Sequence, residues 1–278
     1  MDWVEHIKND KESGASELKE LACRSILEFI SKPHSKESLL NFLQALDDAR
    51  PSMAPIKVLT RAIITEIRDF ENLQGIDQKV KEVVNTSSTK LDALIKNAEK
   101  VLADKKSILT YSYSSIVLEV LKGIGKGDSS VFVPEGRPNF EGRKLALKLS
   151  DAGLKAILIT DAEISRFMKD VEIVLIGADR ITEDSVINKV GTFSIVLLAM
   201  EFKIPCYVVC GRDKFLSKKV MPFKELPKDP KEIWDAQGIE VLNFYFEEVP
   251  IKYFSGIVTD ERIVLPGDIP EELFSGLF

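Results

Sequence analysis

The chain of 278 residues is poor in the groups that simple metal and disulfide chemistries need, with three cysteines and two histidines. Cys206 and Cys210 are four positions apart, about 13 Å along an extended strand and too far to bridge, and Cys23 stands alone. A disulfide framework is therefore excluded. His6 and His34 fall in no metal-ligand spacing, so neither a metal nor any other cofactor is expected. No apolar run approaches the roughly 20 residues of a membrane span, and the N-terminus, MDWVEHIKNDKE, is polar and charged. A cytoplasmic protein without membrane association is the expectation. The net charge of −6 argues against direct nucleic-acid binding. Internal repeats and low-complexity linkers are missing too. What is present is 45% hydrophobic residues, enough for one or two full-sized cores.

Leu18, Leu21, Ala22, Ser25, Ile26 and Phe29 recur at helical spacing, as do Ile56, Leu59, Ile63, Ile67 and Phe70, with a third helix over Leu39–Ala49. Thr89 with Asp92 resembles a capping box, and Leu91, Leu94, Ile95, Ala98, Val101 and Leu102 then draw one apolar stripe. Residues 1–105 thus read as an all-helical N-terminal domain. From Ser107 short β-branched runs alternate with helical ones. Ser107–Tyr111, Val131–Pro134, Ala156–Thr160, Glu172–Ile176 and Cys206–Cys210 read as strands, with Leu242–Phe246 and Gly256–Thr259 completing the sheet. The expected fold class is α/β, with residues 106–278 forming a Rossmann-like, doubly wound, mostly parallel sheet.

The stretch VEIVLIGADRITEDSVINKVGTFSIVLLAMEF, residues 171–202, joins a buried strand, a polar loop and a buried helix. Asp179 falls just past the strand's carboxyl end. Asn188, Lys189 and Gly191 precede a helix for which Thr192 is a plausible N-cap, and a lysine and a glycine before a helix N-terminus make an anion site. The plain alternative is that Asp179 and Arg180 pair in the loop while Lys189 is solvated. Other strands end in similar equipment: Tyr111 to Ser115 after the first, Glu135 to Pro138 after the second, Asp161 after the third. Hydroxyls, carboxylates, an arginine and a lysine at one sheet edge suit a phosphorylated, hydroxyl-rich ligand. The glycines of Gly123–Gly127 follow a helix and precede a strand, the wrong order for a dinucleotide fingerprint, and read as a helix C-cap and turn.

ILTYSYSS (residues 108–115), PEGRPNFEG (134–142), Asp161, GADRI (177–181) and NKVGT (188–192) occur in the order and spacing of a known family, which this chain resembles over nearly its whole length. It is the family of the alpha, beta and delta subunits of translation initiation factor 2B, which also includes methylthioribose-1-phosphate and ribose-1,5-bisphosphate isomerases. The resemblance implies a helical N-terminal domain, a Rossmann-like C-terminal domain and a homodimer formed through the latter.

The isomerases of this family use a cysteine after the first strand together with the Asp of GADRI. Here the Asp is kept as Asp179, but Ser112 stands at the cysteine position, and a serine hydroxyl exchanges a proton only beside a strong base. Their N-terminal Arg-Gly-Ala phosphate loop matches Ser13, Gly14 and Ala15, without the arginine. Both departures imply a pocket without catalysis. The leading expectation is a non-catalytic regulatory subunit that contacts initiation factor 2 or its alpha subunit and supports or regulates guanine-nucleotide exchange. The alternatives are an isomerase using Asp179 with Ser112, and a metabolite-binding dimer without a role in translation. The expected ligand-binding set is Ser13, Gly14, Ala15, Arg50, Ser112, Ser114, Glu135, Arg137, Asp161, Asp179, Asn188 and Lys189.

Overall fold

The computed structural model describes residues 2–10, 13–50, 53–86, 90–124 and 129–274. Helices come first: α1 (Trp3–Asn9), α2 (Ala15–Ile30), α3 (Lys36–Ala49), α4 (Ala54–Ile67), α5 (Leu73–Thr86) and α6 (Leu91–Leu102). Their starts follow local chemistry. Asp2 accepts from the Glu5 amide to cap α1, Ser35 accepts from the Ser38 amide to cap α3, and α4 opens with Pro55, whose missing N–H has no helix partner to lose. Thr89, half of the expected capping box of α6, lies outside the described residues, as do residues 125–127 of the expected glycine turn.

Leu18, Ala22 and Ile26 of α2, Leu39, Leu43 and Leu46 of α3, Ile56, Leu59, Ile63 and Ile67 of α4, and Ile76 and Val80 of α5 form one dry cluster. Each of the leucine, isoleucine and valine side chains contributes about 1.5–3 kcal/mol by leaving water. α6 belongs to different packing. Its Leu94, Ala98 and Leu102 lie with Val117, Val120 and Leu121 against the sheet, and Asn97 Nδ2 donates to the Thr259 carbonyl at 3.0 Å.

The remaining elements are β1 (Ser107–Leu109), α7 (Ser115–Ile124), β2 (Ser130–Pro134), α8 (Glu141–Asp151), β3 (Lys155–Ile159), α9 (Ile164–Phe167), β4 (Ile173–Ile176), β5 (Arg180–Ile181), β6 (Ser185–Lys189), α10 (Thr192–Glu201), β7 (Cys206–Val209), β8 (Phe246–Pro250), β9 (Gly256–Val258) and β10 (Ile263–Val264). Seven strands form one sheet in the order β10-β9-β7-β4-β1-β2-β3, parallel except for the β9–β10 pair, so the doubly wound α/β expectation holds. α6 and α7 cover one face, whereas α9 and α10 cover the other. β4 is buried along its whole length, as a central parallel strand must be.

Two expectations need correction. The loop after Asp179 contains the antiparallel pair β5–β6, and Asn188 and Lys189 are strand residues within it. Leu242–Phe246 is not a strand of the main sheet. The strand there begins at Phe246, opposite Lys189, and joins β5 and β6 in a separate three-stranded antiparallel sheet. The preceding residues leave the ladder because Asn243 is tied elsewhere, its Nδ2 donating to the Asp229 carbonyl at 2.8 Å and to Glu232 at 2.9 Å.

Candidate functional site

From β1 the chain moves outward to β2 and β3, and from β4 it moves outward in the opposite direction. Between two such strands the connections diverge and a crevice opens at their carboxyl ends. Ser112 follows β1 and Asp179 follows β4. The two loops touch through Gly177, where a Cβ would lie 2.6 Å from Ser114 Oγ, so any side chain there would force them apart. Ser114 Oγ accepts from the Val117 amide at 3.3 Å and starts α7. Tyr111 Oη donates to the Val190 carbonyl at 2.7 Å, and Tyr113 Oη donates to Glu17 Oε1 at 2.8 Å. Between these two anchored rings Ser112 has φ 62°, a left-handed conformation that costs a residue other than glycine about 1–3 kcal/mol. Strain of this kind, held by its neighbours, marks the position as more than a spacer.

The N-terminal helices form one wall over the crevice, leaving a partly open cavity of about 460 Å³. Ser13, Gly14, Ala15, Arg50, Ser112, Asp179 and Lys189 all line it. Ser114 and Asn188 line a recess of about 30 Å³ whose wall also includes Gly14, Ala15, Ser112 and Asp179. Nine of the twelve expected ligand-binding residues are thereby brought together.

On the helical side, Ser13 donates through its amide and its hydroxyl to Asp10, at 2.7 and 2.9 Å, and the Gly14 amide donates to Glu17 Oε2 at 3.0 Å. The amides of Ala15 and Ser16, in the first turn of α2, have no acceptor within their helix and sit at its positive end. Arg50, which follows α3, donates from Nε to the Ile7 carbonyl at 2.9 Å and from Nη2 to the Asp10 carbonyl. Burial lowers its pKa, against the pull of Asp10 and Tyr245.

On the sheet side, burial raises the pKa of Asp179 above the ordinary carboxylate range, Lys214 and Lys189 hold it down, and Glu141 and Glu225 push it further up. Arg180 does not pair with Asp179. It turns into the protein and donates from Nε to the Leu216 carbonyl at 2.8 Å and from Nη2 to the carbonyls of Ser217 and Met221 at 2.8 and 2.5 Å. Burial brings this guanidinium down to a pKa of about 10, with Glu183 and Glu248 opposing the fall.

The expected anion site before Thr192 is already filled by the protein. Glu247 Oε1 accepts from the amides of Gly191 and Phe193, at 2.8 and 2.9 Å, so the positive end of α10 holds a carboxylate. The N-cap position belongs to Gly191, at φ 106°, while Thr192 Oγ1 donates to the Lys189 carbonyl at 2.6 Å and accepts from Asn188 Nδ2 at 3.0 Å. Lys189 is buried, not solvated. Its Nζ lies 2.8 Å from Glu141 Oε1 and 5.2 Å from the centre of the Tyr245 ring.

Glu135, Arg137 and Asp161 do not line the cavity. Asp161 accepts from the amides of Gly136 and Arg137, at 2.9 and 2.7 Å, and Glu135 pairs with Arg143 at 2.7 Å. These contacts shape the loop after β2.

Four contributors were missed by sequence reasoning: Lys214, Glu141, Tyr245 and Glu247. Lys214 lines the recess beside Ser112 and Asp179 with its side chain otherwise buried. Its one signal was a lysine directly before the apolar pair Phe215–Leu216. Tyr245 donates to Glu232, and burial and that carboxylate raise its pKa to about 12.

The profile described as the Initiation factor 2 subunit family matches residues 4–266. A Pyrococcus furiosus protein described as eIF-2B subunit 2-like is 28% identical over 95% of each chain. The ribose 1,5-bisphosphate isomerase of Methanocaldococcus jannaschii is 26% identical over 94% of this chain and 90% of that one. Among solved structures, the translation initiation factor eIF-2B of Pyrococcus horikoshii OT3 superposes with a TM-score of 0.82 at 26% identity, covering 98% of both chains. On the match across residues 4–266, this chain belongs to the Initiation factor 2 subunit family.

Proposed function

We propose that this protein is a non-catalytic, regulatory member of its family, which binds a phosphorylated small molecule in the cavity and acts on initiation factor 2 through protein contacts. The observation that carries the reading is Ser112. It occupies the position of the isomerases' cysteine, and no base is bonded to its hydroxyl among the described residues. A serine without such a base is a poor proton carrier near neutral pH. Ser13 in place of an arginine weakens the phosphate loop in the same direction, while the open amides of α2, Arg50 and Lys214 still favour an anion.

The assembly that fits this role is a homodimer, and the partner is initiation factor 2 or its alpha subunit. Leu226, Trp234, Ile239, Leu242 and Phe244 are exposed along one irregular segment, more apolar surface than a free loop needs.

The competing reading is a sugar-phosphate isomerase. Asp179 favours it, because a carboxyl held above its ordinary range can give and take a proton nearer neutral pH. Incubation of the purified chain with ribose 1,5-bisphosphate, followed by detection of the ketose product, decides between them. The expected result is no turnover, and Ser112→Cys alone does not create it because Ser13 still replaces the arginine. Turnover of about 1 per second or faster, within the ordinary enzymatic range, overturns the non-catalytic reading.

A further inference from the structure

The groups that can take an anion are unevenly spread over the cavity wall. The first turn of α2, Arg50 and Lys214 supply open amides and positive charge, beside two carboxylates, Asp10, which accepts from the amide and hydroxyl of Ser13, and the buried Asp179. The wall built from α8, β6 and residues 228–246 supplies none in unpaired form. Its lysine, Lys189, is 2.8 Å from Glu141 Oε1 with side chains 3% and 23% exposed, and Lys228 is 3.3 Å from Glu225. The helix that follows Lys189 in the chain, α10, has its N-terminal end filled by Glu247. Asp229 and Glu232 add further carboxylates.

Glu141 is placed there at a cost. Its Oε2 is buried without a hydrogen bond, and a buried acceptor left unmade costs about 1–3 kcal/mol. Packing does not require that cost, since an apolar side chain of similar length, such as methionine, would fill the volume with no hydrogen bond left unmade. What the carboxylate adds is neutralisation of Lys189, the one sheet-edge lysine that would otherwise meet a second phosphate.

We infer that Glu141 is a specificity determinant which restricts the cavity to ligands carrying a single phosphate group and excludes sugar bisphosphates. The inference rests on the reading that the cavity holds a phosphorylated sugar. One phosphate is taken by the α2 wall. A second, carrying close to two negative charges near neutral pH, would be pressed against Glu141, Asp229 and Glu232 with Lys189 already spent. A hydroxyl or amino group brought to the same place would instead find acceptors.

The test is calorimetric titration of the full chain at pH 7.5 with ribose 5-phosphate and with ribose 1,5-bisphosphate, for the natural protein and for Glu141→Gln and Glu141→Ala, either of which suffices if the other does not fold. The natural protein is expected to bind ribose 5-phosphate at least about tenfold more tightly than the bisphosphate, and loss of the carboxylate should cut that ratio by about tenfold or more, the scale of one charge-assisted contact. Bisphosphate bound as tightly as the monophosphate, without turnover, overturns this inference and leaves the phosphorylated-ligand site standing. An unchanged ratio in the folded variants overturns the role of Glu141. If neither compound binds any of the proteins at millimolar concentration, the phosphorylated-ligand reading falls and this inference with it.

Discussion

Lys19 of α2 and Asp213, just after β7, form an ion pair of 2.9 Å across 194 positions of sequence, with side chains only 8% and 9% exposed. It ties the helix whose first turn walls the cavity to the turn that carries Lys214, and so fixes the two elements of the proposed anion site relative to each other. Removing one partner of such a pair strands the other charge out of water.

Lys19→Met is therefore expected to destabilise the fold by about 3–5 kcal/mol. The double change Lys19→Met with Asp213→Leu should recover most of that loss, because an apolar pair of similar volume replaces a buried ion pair at little cost. Urea denaturation of the natural protein and the two variants checks this. A single variant that loses less than about 1 kcal/mol would show the pair to be well solvated.

Asp179 should carry a pH signature. Its folded pKa is raised, chiefly by burial, so the proton is held more tightly folded than unfolded. The stability this contributes is fully present below the ordinary carboxylate pKa of about 4 and is lost as pH rises through the folded value. At neutral pH the buried side chain is accordingly a burden. Asp179→Asn is expected to raise the melting temperature at pH 7.5, with the gain shrinking as pH falls toward about 4. Melting curves of both proteins across that range check the sign, and a lower melting temperature for the variant at pH 7.5 would contradict it.

Glu247 should behave as the cap of α10. Both amides it accepts lose a charged acceptor in Glu247→Ala, a change expected to cost about 2 kcal/mol. The bared helix end then becomes the anion site that the natural protein lacks there. Sulfate should restore part of the lost melting temperature in the variant and little in the natural protein.

The proposed homodimer makes a further prediction. Leu242 is 65% and Phe244 38% exposed, on the segment whose apolar surface calls for a cover. The natural chain should sediment as a dimer at micromolar concentration, and Leu242→Glu with Phe244→Glu should shift it to monomer without loss of helix content. A natural chain that sediments as a monomer removes this assembly.

The strands of the main sheet were legible because parallel strands buried on both faces are written as short β-branched runs, and Ile173–Ile176 is the plainest of them. Ser185–Lys189 was not. Its residues, Ser-Val-Ile-Asn-Lys, neither alternate nor form an apolar run, and they follow two acids; it becomes a strand only by pairing with Phe246–Pro250, more than fifty positions away. The error over Leu242–Phe246 has the same origin, since β propensity pointed to the aromatic residues while side-chain bonds from Asn243 decided where the ladder starts. Ser112, Asp179 and Lys189 could be found because strand ends in an open α/β sheet announce a crevice. The partners that decide what those residues do, Glu141 for Lys189 and Glu247 for the α10 end, could not, because an acidic side chain on paper does not say which cation or amide it will reach.

The cavity draws its walls from residues 8–10 and 13–15, from Ala49, Arg50 and Met53, and from residues between 112 and 189 and between 228 and 246. Its completion therefore waits on biosynthesis. The helices can begin to condense once residues up to about 86 have been made, since their contacts are local. The β6–β8 pairing, which delivers Glu247 to α10 and Tyr245 to Lys189, requires nearly the whole polypeptide and the closure of a long loop. A nascent chain still held short of Pro250 lacks this last sheet, so the proposed ligand capture would also act as a timer. A small molecule added during synthesis would engage only polypeptides that have reached their last sheet, and would favour those over truncated ones.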